Sequence, residues 1–293
     1  MKLRILGTAA GGGLPQWNCA CPGCARARAT GPHAWRTQEC LAVSASPDAW
    51  YLVNASPDIR TQILAAPGLT PPTGTRHTPL RGVLLTDGEL DHTAGLLALR
   101  EGAALDLYAP PAVLAALGGP FPLRALLAPY GSARWHAAGA GPLPLDGGRL
   151  TVTAMPVSDK RPRYAAGFDA PGPWAVAYRF DDTVTGGAVV YAPSLARWPD
   201  GLDGALSGVG CLILDGTFWS EDEMGRGSAL AMGHLPVHGP GGTLRRLRGL
   251  GGVRCFYTHL NNTNPLADPA SSERAALGGG SVEVAFDGME IEL

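Results

Sequence analysis

Short runs of β-type residues, each closed off by Gly, Pro, Asn or Asp, recur from one end of this chain to the other. They limit what it can fold into more than any other feature. The runs are Leu3–Leu6, Leu41–Ser44, Trp50–Asn54, Gly82–Thr86, Leu105–Tyr108, Leu150–Met155, Trp174–Phe180, Ala188–Tyr191, Cys211–Asp215, Arg254–Thr258, Ser281–Phe286 and Glu290–Leu293. Helical patterns are fewer. One runs from Asp58 to Leu64 behind a proline, one from Thr93 to Arg100, and one from Pro111 to Leu117 with proline in the first turn. Strict strand–helix alternation is missing, which argues against a doubly wound sheet. The pattern predicts an α/β chain in which two sheets pack face to face with helices outside.

At 293 residues the chain has room for one large domain or two small ones, taking roughly 100–200 residues per domain. No internal repeat, low-complexity tract or linker divides it, so one domain over residues 1–293 is expected. It is 45% hydrophobic and 16% charged, enough to bury a sizeable core and exclude disorder. Its 41 Gly and 26 Pro are interleaved with apolar runs, which makes a loop-rich fold. A net charge of −2 argues against a nucleic-acid-binding surface, which needs a basic excess. No apolar run approaches the roughly 20 residues of a membrane span. The start, Met1 to Gly7, is too short in apolar residues for a leader, so a cytoplasmic location is expected.

Two constellations carry chemistry. The first is Cys19-Ala20-Cys21-Pro22-Gly23-Cys24, whose three thiolates can share one tetrahedral Zn²⁺. Its fourth ligand stays open between Asn262, His33 and His234. Cys40, Cys211 and Cys255 lie in apolar runs and are expected as small buried hydrophobes. The second constellation closes a predicted strand: Thr86-Asp87-Gly88-Glu89-Leu90-Asp91-His92-Thr93-Ala94-Gly95. Capping of the following helix would account for Asp91 but not for Asp87, Glu89 and His92 beside it. Two other apolar strands end in Asp215 and His259. Strand ends of ligand type at one rim point to a shared polar pocket and a metal. The Gly-rich segment Gly7 to Gly13 opens no helix and has no Lys-Ser/Thr pair, so nucleotide-loop readings fail. A tight turn where backbone passes close to a site is expected instead.

With these residues in view, the chain resembles the metallo-β-lactamase superfamily. Strand–T-D-G-E-L-D-H–helix is similar to the superfamily's H-x-H-x-D-H, and Asp215 and His259 fall where its bridging Asp and final His stand. The Gly-rich first turn, the C-x-C-x-x-C and the closing Glu283 to Met289 resemble its phosphodiesterase-like branch. Still closer motifs run from the first strand to the last: Leu14 to Cys19, Asn54 to Arg60, Asp215-Gly216-Thr217, Met232-Gly233-His234 and His259 to Pro265. These are similar to a family serving pyrroloquinoline quinone (PQQ) biosynthesis. The resemblance implies an αββα sandwich of two mixed sheets flanked by helices, with a zinc loop near residues 19–24.

The departure from the superfamily pattern is informative. The two histidines of H-x-H are replaced by Asp87 and Glu89, and the third falls near Val157-Ser158-Asp159, so one metal site has lost its imidazoles. Asp91, His92 and His259 remain, the facial two-His-one-carboxylate set of non-haem Fe(II) oxygenases. The resemblance implies O₂-dependent hydroxylation of the tyrosine in a Glu-Tyr precursor. In that scheme Asp91, His92 and His259 hold Fe(II), with Asp215 as an additional or supporting ligand. Asp87 and Glu89 orient water or substrate, and His234 serves as acid/base or substrate contact. Arg36, Arg60 and Arg163 are candidates for substrate carboxylates. Partners would be a small peptide or dipeptide, O₂ and other proteins of the PQQ pathway. Two alternatives stand beside this scheme: a PQQ carrier associated with transport, and a metal-dependent hydrolase of the phosphodiesterase type.

Overall fold

A computed structural model describes residues 1–101, 104–131, 133–139, 141–225 and 227–293. Among these residues the strands are β1 (Lys2–Gly7), β2 (Cys40–Ser46), β3 (Ala49–Val53), β4 (Leu80–Leu84), β5 (Leu105–Ala109), β6 (Ala133–Ala137), β7 (Leu143–Leu145), β8 (Leu150–Ser158), β9 (Ala175–Asp182), β10 (Ala188–Ala192), β11 (Cys211–Asp215), β12 (Arg254–Thr258), β13 (Val282–Val284) and β14 (Glu290–Glu292). They form two mixed sheets of seven strands each, ordered β14-β1-β2-β3-β4-β5-β6 and β13-β12-β11-β10-β9-β8-β7. In both, one half is antiparallel and the other parallel: β3 to β6 in the first sheet, β10 to β13 in the second. The architecture is the αββα sandwich of the metallo-β-lactamase fold.

The burial pattern explains the layers. Ile5, Val43 and Tyr51 from the first sheet meet Val152, Tyr178, Tyr191, Ile213 and Phe256 from the second in one continuous apolar layer. On the first sheet's outer face Leu52, Val83 and Leu107 pack against Ile59, Val113 and Leu117 of the helices Ile59–Leu64 and Pro111–Gly118. On the second, Leu212, Leu214 and Tyr257 are covered by Leu202, Leu244 and Leu247. Strands covered on both faces have no polar side to alternate with, which is why β3 and β10 are apolar throughout and β11 is apolar up to its terminal Asp215.

The twelve predicted runs all become strands, with small shifts at their ends. Strands β6 and β7 are the two that pattern reasoning missed. Both lie at sheet edges, β6 is largely exposed, and β7 is three residues with a central proline, so neither carries the apolar signature of a buried strand. The helix Pro22–Thr30 was also unforeseen; its first turn contains Cys24, so the expected cysteine loop is half helical.

The parallel strands set the site. Strands β4, β11 and β12 all deliver their carboxyl ends to one rim, where open α/β sheets expose unpaired backbone and polar side chains to a crevice. The two sheets are tied together at that rim: Val176 N–H donates to Thr86 O at 2.8 Å, and the Tyr178 hydroxyl donates to Leu85 O at 2.8 Å. Beyond β4 the chain turns into the short helix Leu90–Thr93 and the 3₁₀ segment Ala94–Glu101. Gly95 seats this pair on the loop after β3. A Cβ there would lie 2.0 Å from Ser56 O and 2.6 Å from Ala55 O. Gly95→Ala should therefore destabilise the fold by roughly 1–3 kcal/mol or more, through forced overpacking against backbone. Denaturant unfolding monitored by circular dichroism checks this; an unchanged midpoint would contradict the packing account.

Candidate metal centre

Asn54 leaves β3 in the left-handed region (φ 65°), a conformation Asn tolerates better than most residues. There its side-chain oxygen accepts from Thr86 N–H at 2.9 Å, and its amide donates to Glu39 Oε2 at 2.7 Å. This tie fixes the end of β4 and the turn that follows. Asp87 Oδ1 then accepts from Glu89 N–H at 3.0 Å and meets His92 Nδ1 at 2.8 Å. A carboxylate at Nδ1 holds the proton there and leaves Nε2 with a free lone pair, the arrangement a metal-ligating imidazole needs. Asp87 thus holds His92, while it also lines the cleft beside it.

A second relay prepares the other imidazole. His259, also in the left-handed region at φ 57°, places Nδ1 2.7 Å from the Thr217 hydroxyl. That hydroxyl lies 2.6 Å from Asp215 Oδ1 and has one proton to give. Donating it to the carboxylate leaves its lone pairs to accept from His259 Nδ1–H, so His259 Nε2 is likewise free. Asp215 further accepts from the N–H groups of Leu195 and Thr217 at 2.8 and 2.9 Å, and from His234 Nδ1 at 2.7 Å.

The free nitrogens converge. Neither His92 Nε2 nor His259 Nε2, both buried, has a hydrogen-bond partner among the described residues. Asp91 Oδ2 lies 3.9 and 3.5 Å from them, and one ligand atom from each of Asp91, His92 and His259 falls within 4.8 Å of the others. Orphaned buried nitrogens beside a carboxylate fit a divalent cation such as zinc or iron. Asp91 does not cap its helix; its carboxylate turns to the imidazoles. Asp215, His234 and His259 form a second such group, sharing His259. There the Asp215 oxygens are already engaged by four donors, so its carboxylate supports Thr217 and His234 rather than joining Asp91.

Charge accumulates around this centre. Burial works against a cationic His92, yet Asp87, Asp91 and Glu39 outweigh it and hold its pKa well above the ordinary histidine value, so a cation bound at Nε2 would take the place of the proton there. His259, buried and facing a cationic neighbour, is pushed down. Glu39 is the residue that sequence reasoning missed. Fully buried, it sits with Oε2 3.3 Å from His92 Nε2, and burial pushes its pKa up to about 8. The only available signal was an acidic residue set directly before an apolar strand run. Thr217, present in a motif but given no role, is the other. Among the Gly-rich turn residues, Gly11 fulfils the expected close approach: a Cβ there would lie 3.1 Å from Asp91 Oδ2.

The cysteines form a separate group at the start of the helix Pro22–Thr30. Their Sγ atoms lie within 4.8 Å of one another, and each accepts a main-chain N–H: Cys19 from Cys21 at 3.4 Å, Cys21 from Cys24 at 3.5 Å, Cys24 from Gln16 at 3.3 Å. Three sulfurs stabilised this way fit a zinc ion. The Asn262 Nδ2–H group faces Cys19, Cys21 and Cys24 Sγ at 3.2, 3.5 and 3.4 Å as a donor, so of the three residues considered for the fourth ligand it is the one packed on the cluster. His33, in an exposed 3₁₀ turn, and His234, bound to Asp215, are not placed there. Cys40, Cys211 and Cys255 are buried as expected.

A cleft of about 790 Å³ opens onto Asp91, His92, His234 and His259, with Glu89 and Tyr164 in its wall. Of the three arginines expected at substrate carboxylates, Arg163 lines it. Arg36 does not: it is half-buried elsewhere, donating to Thr8 Oγ1 and Ala285 O at 2.9 and 2.7 Å beside Asp287. Arg60 is exposed on the helix Ile59–Leu64, outside the cleft.

Comparison with known proteins accords with this geometry. Residues 49–260 match the Beta-lactamase superfamily domain. The chain is 44% identical to coenzyme PQQ synthesis protein B of Cupriavidus necator and 40% identical to that of Pseudomonas aeruginosa, covering all of this chain and 99% and 100% of theirs. It belongs to the coenzyme PQQ synthesis protein B family. The crystal structure of Zn²⁺-bound PqqB from Methylobacterium extorquens superposes with a TM-score of 0.89 at 35% identity, each chain covered completely. A diphosphatase of the PhnP family shares the fold at a TM-score of 0.70 and 19% identity. No helix among the described residues is by itself long and apolar enough to cross a membrane.

Two outcomes follow for this member of the PqqB family. Gly11→Ala should displace Asp91 and lower divalent-metal affinity at the imidazole site, while unfolding changes little because Gly11 has an ordinary φ. Titration with Fe(II) or Zn²⁺ against a competing chelator measures it. Cys24→Ser should remove one equivalent of zinc by elemental analysis and lower the melting temperature, since structural zinc contributes folding energy directly.

Proposed function

We propose that this chain acts in PQQ biosynthesis as a non-haem iron oxygenase that hydroxylates the tyrosine ring of a small Glu-Tyr peptide. The names of its relatives carry the pathway, and the zinc-bound Methylobacterium extorquens protein supports metal binding in this family. One observation carries the reaction type: the H-x-H positions are Asp87 and Glu89, and Asp87 is turned inward onto His92. What remains beside the open cleft is Asp91, His92 and His259; the other group, Asp215, His234 and His259, shares His259 with it and has its carboxylate engaged by four donors. Two-metal hydrolysis needs a clamp on both the attacking and the leaving oxygen, and half of that clamp is gone.

Asp91, His92 and His259 would hold the metal. Iron(II) bound there supplies the electrons and vacant positions for O₂ chemistry. The residues around it do the positioning. Asp87 keeps the His92 proton on Nδ1, and Thr217 keeps the His259 proton on Nδ1, so both Nε2 atoms stay available. His234 gives its Nδ1 proton to Asp215, which leaves its Nε2 as an acceptor for a proton released by the substrate. The balance is one ring C–H, O₂, two electrons and two protons giving a ring C–OH and water, so a two-electron reductant such as ascorbate is required.

The test is mass spectrometry of Glu-Tyr incubated with anaerobically Fe(II)-loaded protein, then with ¹⁸O₂ and ascorbate. One labelled oxygen on the ring is expected, absent with zinc loading. His92→Ala or His259→Ala should lose both iron and turnover; full iron occupancy in either would sink the ligand assignment. Thr217→Val should lower metal affinity or turnover on the order of 10–100-fold by freeing the His259 ring. Iron bound in full with no oxygen transferred would remove the oxygenase reading.

A further inference from the structure

The cleft carries two cations that the metal centre does not use. They stand on the segment after β8, where three basic residues fall close together. Arg161 is committed to the fold: it bonds Asp169 at 3.0 Å and its guanidinium lies 5.6 Å from the Trp174 ring centre. Lys160 and Arg163 are not. Both line the cleft that holds Glu89, Asp91 and His259. Lys160 Nζ donates to the main-chain carbonyl of Met232, a neutral acceptor that leaves N–H groups to spare; no carboxylate among the described residues lies within ion-pair distance of it, although Glu89 is near enough to feel its charge. Arg163 makes no side-chain hydrogen bond or ion pair among the described residues, and its side chain is exposed to the cleft.

The loop across from Lys160 is adapted to its reach. Gly233 lies at φ 89°, and a Cβ there would meet Lys160 Cδ at 2.5 Å. The lysine stem therefore crosses the loop directly beside His234, and its ammonium ends within the same cleft. Cations held in a pocket wall without an acid partner are binding groups for an anion. Single positive charges close to the acidic Glu89 and Asp91 suit a carboxylate better than a phosphate dianion.

We propose that Lys160 and Arg163 bind a carboxylate of the substrate and set the cleft's preference for carboxylate-bearing over neutral tyrosyl ligands. This rests on reading the cleft as the substrate site of the oxygenase. The preference is measured by calorimetry on zinc-loaded protein, so that no turnover accompanies binding, using Glu-Tyr against Gln-Tyr amide, which has the same α-amine and no carboxylate. Wild type should favour the diacid. Lys160→Met and Arg163→Met should each weaken Glu-Tyr about tenfold, the lower end for a charge-assisted hydrogen bond at an accessible site. Gln-Tyr amide should bind the variants as it binds wild type, whereas a merely structural lysine would weaken both ligands alike. Equal losses for both, or no loss of Glu-Tyr in the double variant, would overturn the proposal. So would inorganic phosphate displacing Glu-Tyr from wild type at equal concentration, which would assign the cations to phosphate. Because the binding arm needs no oxygen chemistry, a failed oxygenation with iron-loaded wild type would remove the oxygenase reading and leave the carboxylate preference standing.

Discussion

Two imidazoles and several carboxylates are buried where two apolar sheets meet, and water cannot solvate them there. Taken singly each would be costly to bury; they persist because each is paired or hydrogen-bonded to a neighbour. Asp87 holds His92, Thr217 holds His259, Asp215 holds Thr217 and His234, and Asn54 holds Glu39. What this network leaves unsatisfied is as telling as what it satisfies. His259 Nε2 lies 3.5 Å from Asp91 and His92 Nε2 lies 3.3 and 3.9 Å from Glu39 and Asp91, neither with a hydrogen-bond partner among the described residues, so the same ties that make the charges tolerable also shape a candidate metal site.

The sandwich supplies the stage for this. Apolar strands β4, β11 and β12 run parallel to their neighbours and release their polar ends at one rim. Backbone bonds across the rim, from Ala10 N–H to Leu260 O and from Leu260 N–H to Thr8 O, bring the Gly-rich turn against the same spot. Gly11 then lies close against Asp91, where a Cβ would stand 3.1 Å from Oδ2, and His259 and Asn54 adopt left-handed backbone at the points where strands turn into the site. Strained positions cluster here because the surrounding hydrogen bonds over-determine them. The fold is shared with a diphosphatase of the PhnP family. The scaffold is conserved in shape while the residues at the strand ends decide the chemistry.

Much of this was legible in the chain. Buried strands announce themselves as apolar runs between turn residues, and the strand-end groups around Asp91, His92, Asp215 and His259 stand out because polar residues there have no structural task beyond capping. Edge strands β6 and β7 escaped because exposure removes the apolar pattern that marks a strand. Glu39 escaped because one acidic residue beside an apolar run has many possible explanations. Arg36 was misplaced for the converse reason: an arginine's charge says nothing of whether it faces a cleft or, as here, a buried pair of acceptors beside Asp287.

The sequence by itself determined the two-sheet class, the cysteine cluster, the family and the replacement of H-x-H by Asp87 and Glu89, since these are properties of residue type and order. Only the tertiary structure decided which way each carboxylate points: Asp87 and Asp215 onto imidazole supports, Asp91 onto free nitrogens, Asn262 onto three sulfurs from the far end of the chain. The reason is distance. A motif fixes neighbours a few residues apart, but the direction of a side chain is set by partners such as Thr217 and Asn54, which arrive from other strands only when the sheets have packed.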